Sequence, residues 1–485
     1  MTKKFVFILL PAIIAVNALK ALKLTVMPLW HDESFSALLI RYDLKEMLYR
    51  IGLDVHPPLY YLSLKAWSFI FSGSLFSIRM FSVFFGMLTV LALYLLVKKL
   101  FQNENLAIFS SVLITLSSFQ IQYDMEARMY TLGAFLLVIS TYLLIRSLQS
   151  EKLRWWLLYS ITISAAIYTH YYAFFWIFAQ GIFVIYWLIK NKGKNLKFCL
   201  LAYALGIILY FPWLSIFLRQ LNQVQENYWI ESMNIWSIPN TFLNMTIGTS
   251  TDPNKLYYLL LFLIIVLLWA IIFFVKKLKN DFKWLILSLL LIPFFLSTLL
   301  SFKTAIYLDR YFIFSLPFYL IFLTATIFLI KNERLKKTLI VLAVLTSLIS
   351  FPARWLSFGI EKKPGMGSAA EFLNSEVKNN DKIFVGSSFA YFTFKYYNET
   401  GINPLLYAPG DLPHFSGTAL LSEEDIISDF QESVKKNDIV WLINTTGFGN
   451  YQPRTPDSWI KIDEKGFEDT YDYRGWVVIS KYLAD

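Results

Sequence analysis

The residues best suited to chemistry lie just after the first apolar segment. Trp30-His31-Asp32-Glu33 is followed by Asp54-Val55-His56-Pro57-Pro58-Leu59, in a chain otherwise poor in charge. Ionisable groups beside a bilayer are costly to desolvate, so their clustering points to function. Asp32 and Glu33 are adjacent and point different ways in any regular structure, so they do not share one task. One carboxylate can take the proton from an attacking hydroxyl, while the other positions that hydroxyl or binds a divalent metal ion. The competing reading is a charge pair at a helix N-terminus, where acids are favoured. Asp54 and His56, beside the rigid Pro57-Pro58 turn, suit a substrate or metal shelf, and the same prolines also punctuate a helix start.

Three further polar motifs follow. Asp124-Met125-Glu126-Ala127-Arg128-Met129-Tyr130 places a guanidinium suited to a phosphate ester. Asp124 stands four residues before Arg128 and can instead pair with it on one helical turn. Asp309-Arg310-Tyr311 sets a second Arg at a bilayer edge. Snorkelling accounts for one such Arg, and two are better matched to an anionic ligand. His170, flanked by Tyr168, Tyr171 and Tyr172, reads either as a hydrogen-bonded interfacial residue or as a metal or sugar contact. Asp32, Asp54, His56 and His170 are the candidate metal ligands. A long loop, 219–254, carries Gln220, Gln223, Gln225, Tyr228, Trp229 and Trp236, which suit headgroup anchoring or a lid.

The elements that must hold these residues are membrane helices. The chain has 485 residues, 56% of them hydrophobic and 18% aromatic, above the roughly 45–50% apolar content of soluble domains. Apolar runs at 5–19, 80–97, 105–123, 129–145, 198–218, 256–275, 284–302, 311–330 and 338–351 each suit a span. The run 155–189 is too long for one helix and splits at Thr169-His170-Tyr171-Tyr172, giving about 11 spans in all. With the N-terminus cytoplasmic, the short basic loops at 98–99, 146–154, 190–194, 276–279 and 331–337 all fall inside. The polar motifs then all fall outside.

From Pro352 onward there are 13 Lys+Arg against 19 Asp+Glu, a net of −6, which leaves +16 for the rest. This asymmetry fits two compartments and argues against a nucleic-acid partner, which would meet its cations on one soluble face. We therefore read 1–353 as a transmembrane catalytic part and 354–485 as a small extracytoplasmic α/β domain. In the latter, 367–378 and 422–436 have helical spacing, while 382–385, 438–443 and 476–480 read as strands. The single cysteine, Cys199, lies in an apolar run and supports neither a disulfide nor a thiolate metal site.

Taken in order, the Asp-Glu pair, Asp54-Val55-His56-Pro57-Pro58-Leu59, Glu126-Ala127-Arg128-Met129-Tyr130, Thr169-His170-Tyr171 and Arg310-Tyr311 resemble the prokaryotic GT-C glycosyltransferases of the protein O-mannosyltransferase type, glycosyltransferase family 39. The resemblance covers about the first 350 residues. It implies a multi-pass protein of the cell (plasma) membrane with a polyprenyl-phosphate-linked sugar donor. It also implies transfer to a hydroxyl acceptor (glycan, lipid or protein) on the outer face, with inversion at the anomeric carbon. Asp32 matches the family's catalytic Asp and Arg128 its phosphate-contacting Arg, with Arg310 or a divalent ion assisting. The C-terminal domain does not resemble a β-trefoil. The alternative is a transporter or flippase of lipid-linked sugars, which would show repeated halves and polar groups at mid-membrane. Here the charges crowd one face and no repeat is visible.

Overall fold

The computed structural model describes residues 5–150, 152–226, 229–248, 253–357, 365–447, 449–469 and 475–485. It divides into two compact units. The first gathers Met1–Leu22, His56–Ser63 and Arg79–Leu356, and the second gathers Lys23–Val55, Leu64–Ile78 and Ser357–Asp485.

The helices in chain order are α1 (Leu10–Ala21), α2 (His31–Leu39), α3 (Leu44–Leu53), α4 (Leu59–Phe71), α5 (Leu75–Phe101), α6 (Glu104–Thr115), α7 (Ser118–Asp124), α8 (Tyr130–Leu148), α9 (Leu153–Thr169) and α10 (Ala173–Lys190). There follow α11 (Leu196–Tyr210), α12 (Leu214–Glu226), α13 (Ser237–Ile247), α14 (Pro253–Lys277), α15 (Phe282–Ser301), α16 (Leu316–Phe328), α17 (Glu333–Ser357), α18 (Gly365–Glu376) and α19 (Ser388–Tyr397).

The first unit is a polytopic membrane bundle. Among the described residues seven helices are long and apolar enough to cross a bilayer, or eight if α6 and α7, bent by 59°, form one span. That bend has a local cause: Ser117 Oγ accepts the Gln120 N–H at 3.3 Å and so starts a new helix inside the apolar run. The remaining expected spans are shorter helices. Phe5–Leu9 is a π-helical turn leading into α1. Residues 311–330 open as a 3-10 turn, Asp309–Phe314, and only Leu316–Phe328, with Pro317 in its first turn, is α-helical. The break inside 155–189 is at His170, whose extended backbone (φ −158°, ψ 130°) ends α9.

Two local expectations are corrected. The stretch 219–254 is not one loop: α12 runs on to Glu226, and α13 occupies Ser237–Ile247. Tyr228 lies outside the described residues. Residues 422–436 do not form a helix. They form 3-10 turns at Glu423–Asp425 and Phe430–Glu432 around a short strand, because short polar side chains take the backbone donors. Asp425 accepts the Ser422 N–H at 3.0 Å and Glu432 accepts the Asp429 N–H at 3.1 Å.

The second unit is built on a mixed sheet of β1 (Lys382–Val385), β2 (Leu405–Tyr407), β3 (Ile426–Ile427), β4 (Ile439–Thr445), β5 (Ile460–Asp469) and β6 (Gly475–Leu483), in the order β3-β2-β1-β4-β6-β5. β1 to β4 pair in parallel and β6 joins β4 antiparallel. Ile383, Phe384 and Val385 are buried as consecutive residues, as a strand covered on both faces requires. β5 closes one edge with Lys461, Asp463, Glu464 and Lys465, whose charges discourage pairing with another chain.

The segment 23–55 belongs to this unit and carries α2 and α3. α2 packs on α19: Ser34 Oγ meets Thr393 Oγ1 at 3.3 Å, and the His31 ring lies 4.9 Å from Phe389 and 5.6 Å from Phe392. The Leu29 N–H just before α2 donates to the Tyr397 hydroxyl at 2.8 Å. Lys65 closes the other end of α2 by donating to the carbonyls of Ile40 (2.8 Å) and Tyr42 (2.6 Å).

Behind α19, Lys395 donates to Asp425 at 2.6 Å, and the Tyr391 hydroxyl donates to the same oxygen at 2.7 Å. Burial alone would raise the Asp425 carboxyl, but hydrogen bonds from Lys395, Ser422 and Tyr391, with the Lys395 charge, outweigh it and hold the carboxyl at about 2. A depressed carboxylate stabilises the fold above its unfolded value and loses that contribution as pH falls through its folded value. Hydrogen exchange of segment 391–427, corrected for intrinsic rates, should therefore show opening between about pH 4 and about pH 2, the interval between the ordinary and the folded Asp425 values. Asp425→Asn should flatten that dependence. An unchanged profile in the variant would assign the acid sensitivity to other groups.

Candidate functional site

In the first unit the polar motifs converge around the turn between α7 and α8. α7 ends at Asp124, and the chain turns through Met125 to Met129 before α8 begins at Tyr130. The turn is fixed by its own backbone, with the Arg128 N–H donating to the Glu126 carbonyl at 2.8 Å. From α5, Ser82 Oγ donates to the Glu126 carbonyl at 2.6 Å. Gln122 reaches Glu126 Oε1 at 3.4 Å, and Arg354 in turn donates to Gln122.

Asp124 does not pair with Arg128. The carboxylate takes Lys20 of α1 at 2.5 Å and the Gln120 amide at 2.7 Å. Both charges are buried, with side-chain exposures of 3% and 1%. A helical Asp four residues before an Arg ordinarily meets it, but α7 stops at Asp124, so the two residues do not share a helix face. Gly86 on α5 makes the room: a Cβ there would sit 2.1 Å from Asp124 Oδ1. Lys20 carried no signal in the sequence beyond being a cation at the end of an apolar run.

Arg128, released from Asp124, faces His56, with Nη2 to Nε2 at 3.2 Å. An Arg can only donate, so His56 Nε2 accepts and the imidazole proton sits on Nδ1. His56 also presents its carbonyl to the Gln220 amide at 3.5 Å. Gln220 accepts from the Tyr171 hydroxyl, which itself accepts the Trp213 indole N–H at 2.9 Å. Arg128, His56, Gln220, Tyr171 and Trp213 therefore form one connected polar path. Gln220 had been read only as part of a surface loop; in the structure it is 1% exposed.

His170 is packed against Tyr311 (4.9 Å between rings), Phe314 (5.4 Å), Tyr172 (5.8 Å) and Tyr130 (6.1 Å). Its Nδ1 accepts the Tyr172 N–H at 3.1 Å. Burial, reinforced by the nearby Arg128 charge, holds His170 well below its ordinary value, so it stays neutral at physiological pH. Arg310 lies one residue before Tyr311, with its guanidinium 5.7 Å from the centre of the Trp229 ring. Asp309 accepts from the Asn244 amide at 2.8 Å. Arg128 and Arg310 therefore flank one aromatic cluster of Tyr130, His170 and Tyr311.

The candidate carboxylates belong to the second unit. Asp32 and Glu33 occupy the first turn of α2, the placement in which acids favour a helix N-terminus. Glu33, 1% exposed, accepts the Trp30 N–H at 3.4 Å and so caps the helix, while Asp32 is half-buried. Asp54, 7% exposed, follows the last residue of α3. Among the described residues no three His, Cys, Asp or Glu side chains converge as a metal-ligand group. Asp32 and Asp54 belong to the second unit and His56 and His170 to the first, where His56 Nε2 faces a guanidinium and His170 Nδ1 accepts a backbone N–H.

Residues 55–216 match the family model described as dolichyl-phosphate-mannose-protein mannosyltransferase. That segment contains His56, Glu126, Arg128, Tyr130, His170 and Tyr171. ArnT from Cupriavidus metallidurans bound to undecaprenyl phosphate is similar in structure at 11% identity, over 97% of each chain, with a TM-score of 0.64. Its apo form gives 10% identity, the same coverage and a TM-score of 0.66. The chain therefore has the fold of ArnT, and its segment 55–216 matches the mannosyltransferase family model. The archaeal oligosaccharyltransferase AglB from Archaeoglobus fulgidus, in complex with an inhibitory peptide and a dolichol-phosphate, is similar over 83% of this chain and 65% of its own, at 10% identity and a TM-score of 0.52. A search of the curated proteins gives no match.

The buried ion pair makes a direct prediction. Removing one partner of such a pair costs about 3–5 kcal/mol, because the other charge is left uncompensated. Asp124→Asn and Lys20→Met should each lower the melting temperature of the detergent-solubilised protein clearly. The double variant Lys20→Met/Asp124→Leu should recover most of the loss. Single variants as stable as the parent would show that the pair does not hold α1 to α7.

Proposed function

We propose that the protein is an inverting glycosyltransferase. In this reading it moves a sugar from a polyprenyl-monophosphate donor to a hydroxyl acceptor on the outer face of the cell membrane, with a cytoplasmic N-terminus and an extracytoplasmic C-terminal domain. The observation that carries the reading is Arg128, set against His56 at 3.2 Å inside the segment that matches the mannosyltransferase family. Support comes from the solved relatives with undecaprenyl phosphate and dolichol-phosphate. The transferase residues are drawn from 1–353, and 354–485 serves them by carrying α2.

Asp32 removes the proton from the acceptor hydroxyl as that oxygen attacks the anomeric carbon from the face opposite the phosphate. The bond from carbon to phosphate oxygen breaks, and its electron pair leaves with the lipid phosphate. The proton stays on Asp32. Lipid phosphate is a stable anion, so no general acid is needed. Arg128 and Arg310 compensate the charge growing on it, in surroundings where water screens poorly. Glu33 holds the first turn of α2. Glu126, Tyr130, His170 and Tyr171 of the first unit serve the sugar and phosphate.

General-base catalysis contributes about 100- to 10,000-fold. Asp32→Asn should lower transfer by that order in a purified assay while lipid-donor binding persists. Near-normal transfer in Asp32→Asn would remove the base assignment and turn attention to Asp54. Arg128→Ala should raise the apparent KM for the lipid donor or lower kcat without unfolding the protein, and donor kinetics unaltered from the parent would exclude the phosphate role. For orientation, a cysteine at Lys192 should label only from the cytoplasmic side and one at Ser428 only from outside; labelling from the same side would break the topology.

A further inference from the structure

The second unit holds a cavity of about 470 Å³ that the reaction described above does not use. It lies between the C-terminal end of α2 and α19, and its volume falls in the roughly 300–1,000 Å³ range of small-molecule sites. Leu38, Phe392 and Leu420 give it an apolar wall, Asn403 an amide, and Arg41 and Lys395 two cations, and its lining has no carboxylate.

The charged residues of the lining are both cations, and Lys395 is paired with Asp425. Arg50 stacks on Tyr42 at 4.4 Å and Lys65 donates to the Tyr42 carbonyl. Near the cavity Glu46 pairs with Arg50, Asp425 pairs with Lys395, and Asp43 caps α3. Arg41 itself is oriented by Tyr396, 4.9 Å from the ring centre, and among the described residues its N–H donors meet no protein acceptor. The rim is preformed. Asn398 bonds the Ile402 carbonyl (2.8 Å) and the Thr400 hydroxyl (2.7 Å), around Gly401 at φ +79°.

We propose that this cavity binds an anionic saccharide group, a sugar bearing phosphate or carboxylate, as part of the acceptor. A bare anion would not need the apolar wall, and a neutral sugar would leave the guanidinium unused. The apolar wall suits the C–H face of a pyranose, Asn403 its hydroxyls and Arg41 its anion, in the bidentate geometry a guanidinium favours. Asp32 lies in the first turn of α2 and Arg41 two residues past its last, so they stand at opposite ends of a helix about 13 Å long at 1.5 Å per residue. The anion would therefore bind one or two rings away from the hydroxyl that reacts. The inference rests on Asp32 acting at the acceptor, but its test does not.

Calorimetric titration of the full-length protein in detergent with glucose 6-phosphate should show saturable binding. Glucose and inorganic phosphate should each bind at least tenfold more weakly. Arg41→Gln should weaken glucose 6-phosphate at least tenfold, and Ile402→Trp, which fills the cavity without changing charge, should do the same. Binding only when the sugar phosphate is the headgroup of a glycolipid in vesicles would support the cavity with a lipid acceptor as the source. Binding unchanged in both variants, or phosphate binding as tightly as the sugar phosphate, would overturn the proposal. Transfer lost in Asp32→Asn with binding intact separates the two readings, as does binding absent while transfer is normal.

Discussion

A carboxylate buried among apolar helices must be neutralised, and here Lys20 neutralises Asp124. The geometry of the first unit's polar cluster follows from that requirement. The pair ties α1 to the end of α7, and Gly86 leaves the space that lets the carboxylate lie between helices. Because Asp124 is spent on Lys20, Arg128 is available to face His56. The charge that would have been the most obvious partner for the Arg is committed elsewhere.

The chain between Asp124 and Tyr130 is short and is held by backbone bonds, with Ser82 bonded to the Glu126 carbonyl. Such a turn carries little conformational freedom, so the guanidinium is oriented before any ligand arrives, the condition under which fixed dipoles and charges stabilise developing charge most effectively. The aromatic rings around His170 exclude water from its imidazole and keep it neutral.

The second unit shows a different use of packing. The Asp32-Glu33 helix is seated on α19 through His31, Ser34 and Phe35, each of which touches an α19 side chain. The C-terminal part of the chain thereby holds a segment from its start. Glu33 serves the helix itself by accepting the Trp30 N–H, so the two adjacent carboxylates have different surroundings, as their opposed directions require.

Much of this was legible from the sequence. Long apolar runs with basic ends define membrane helices whatever their neighbours, because backbone groups in hydrocarbon must bond within the helix. The break at His170 and β1 at Lys382–Val385 followed from local pattern alone. The residues that failed were those whose partners are distant in sequence. Lys20 lies 104 residues from Asp124, and Gln220 lies 164 from His56. The expected helix at 422–436 failed because side chains of Ser422, Asp425, Asp429 and Glu432 compete for backbone donors, which spacing does not register. Composition and periodicity determined that this chain spans a membrane and where its polar residues cluster. Which charge neutralises which, and that α2 is carried by the C-terminal part of the chain, was decided only by tertiary packing, because an ion pair or a helix seat depends on which surfaces meet in space and not on their order along the chain.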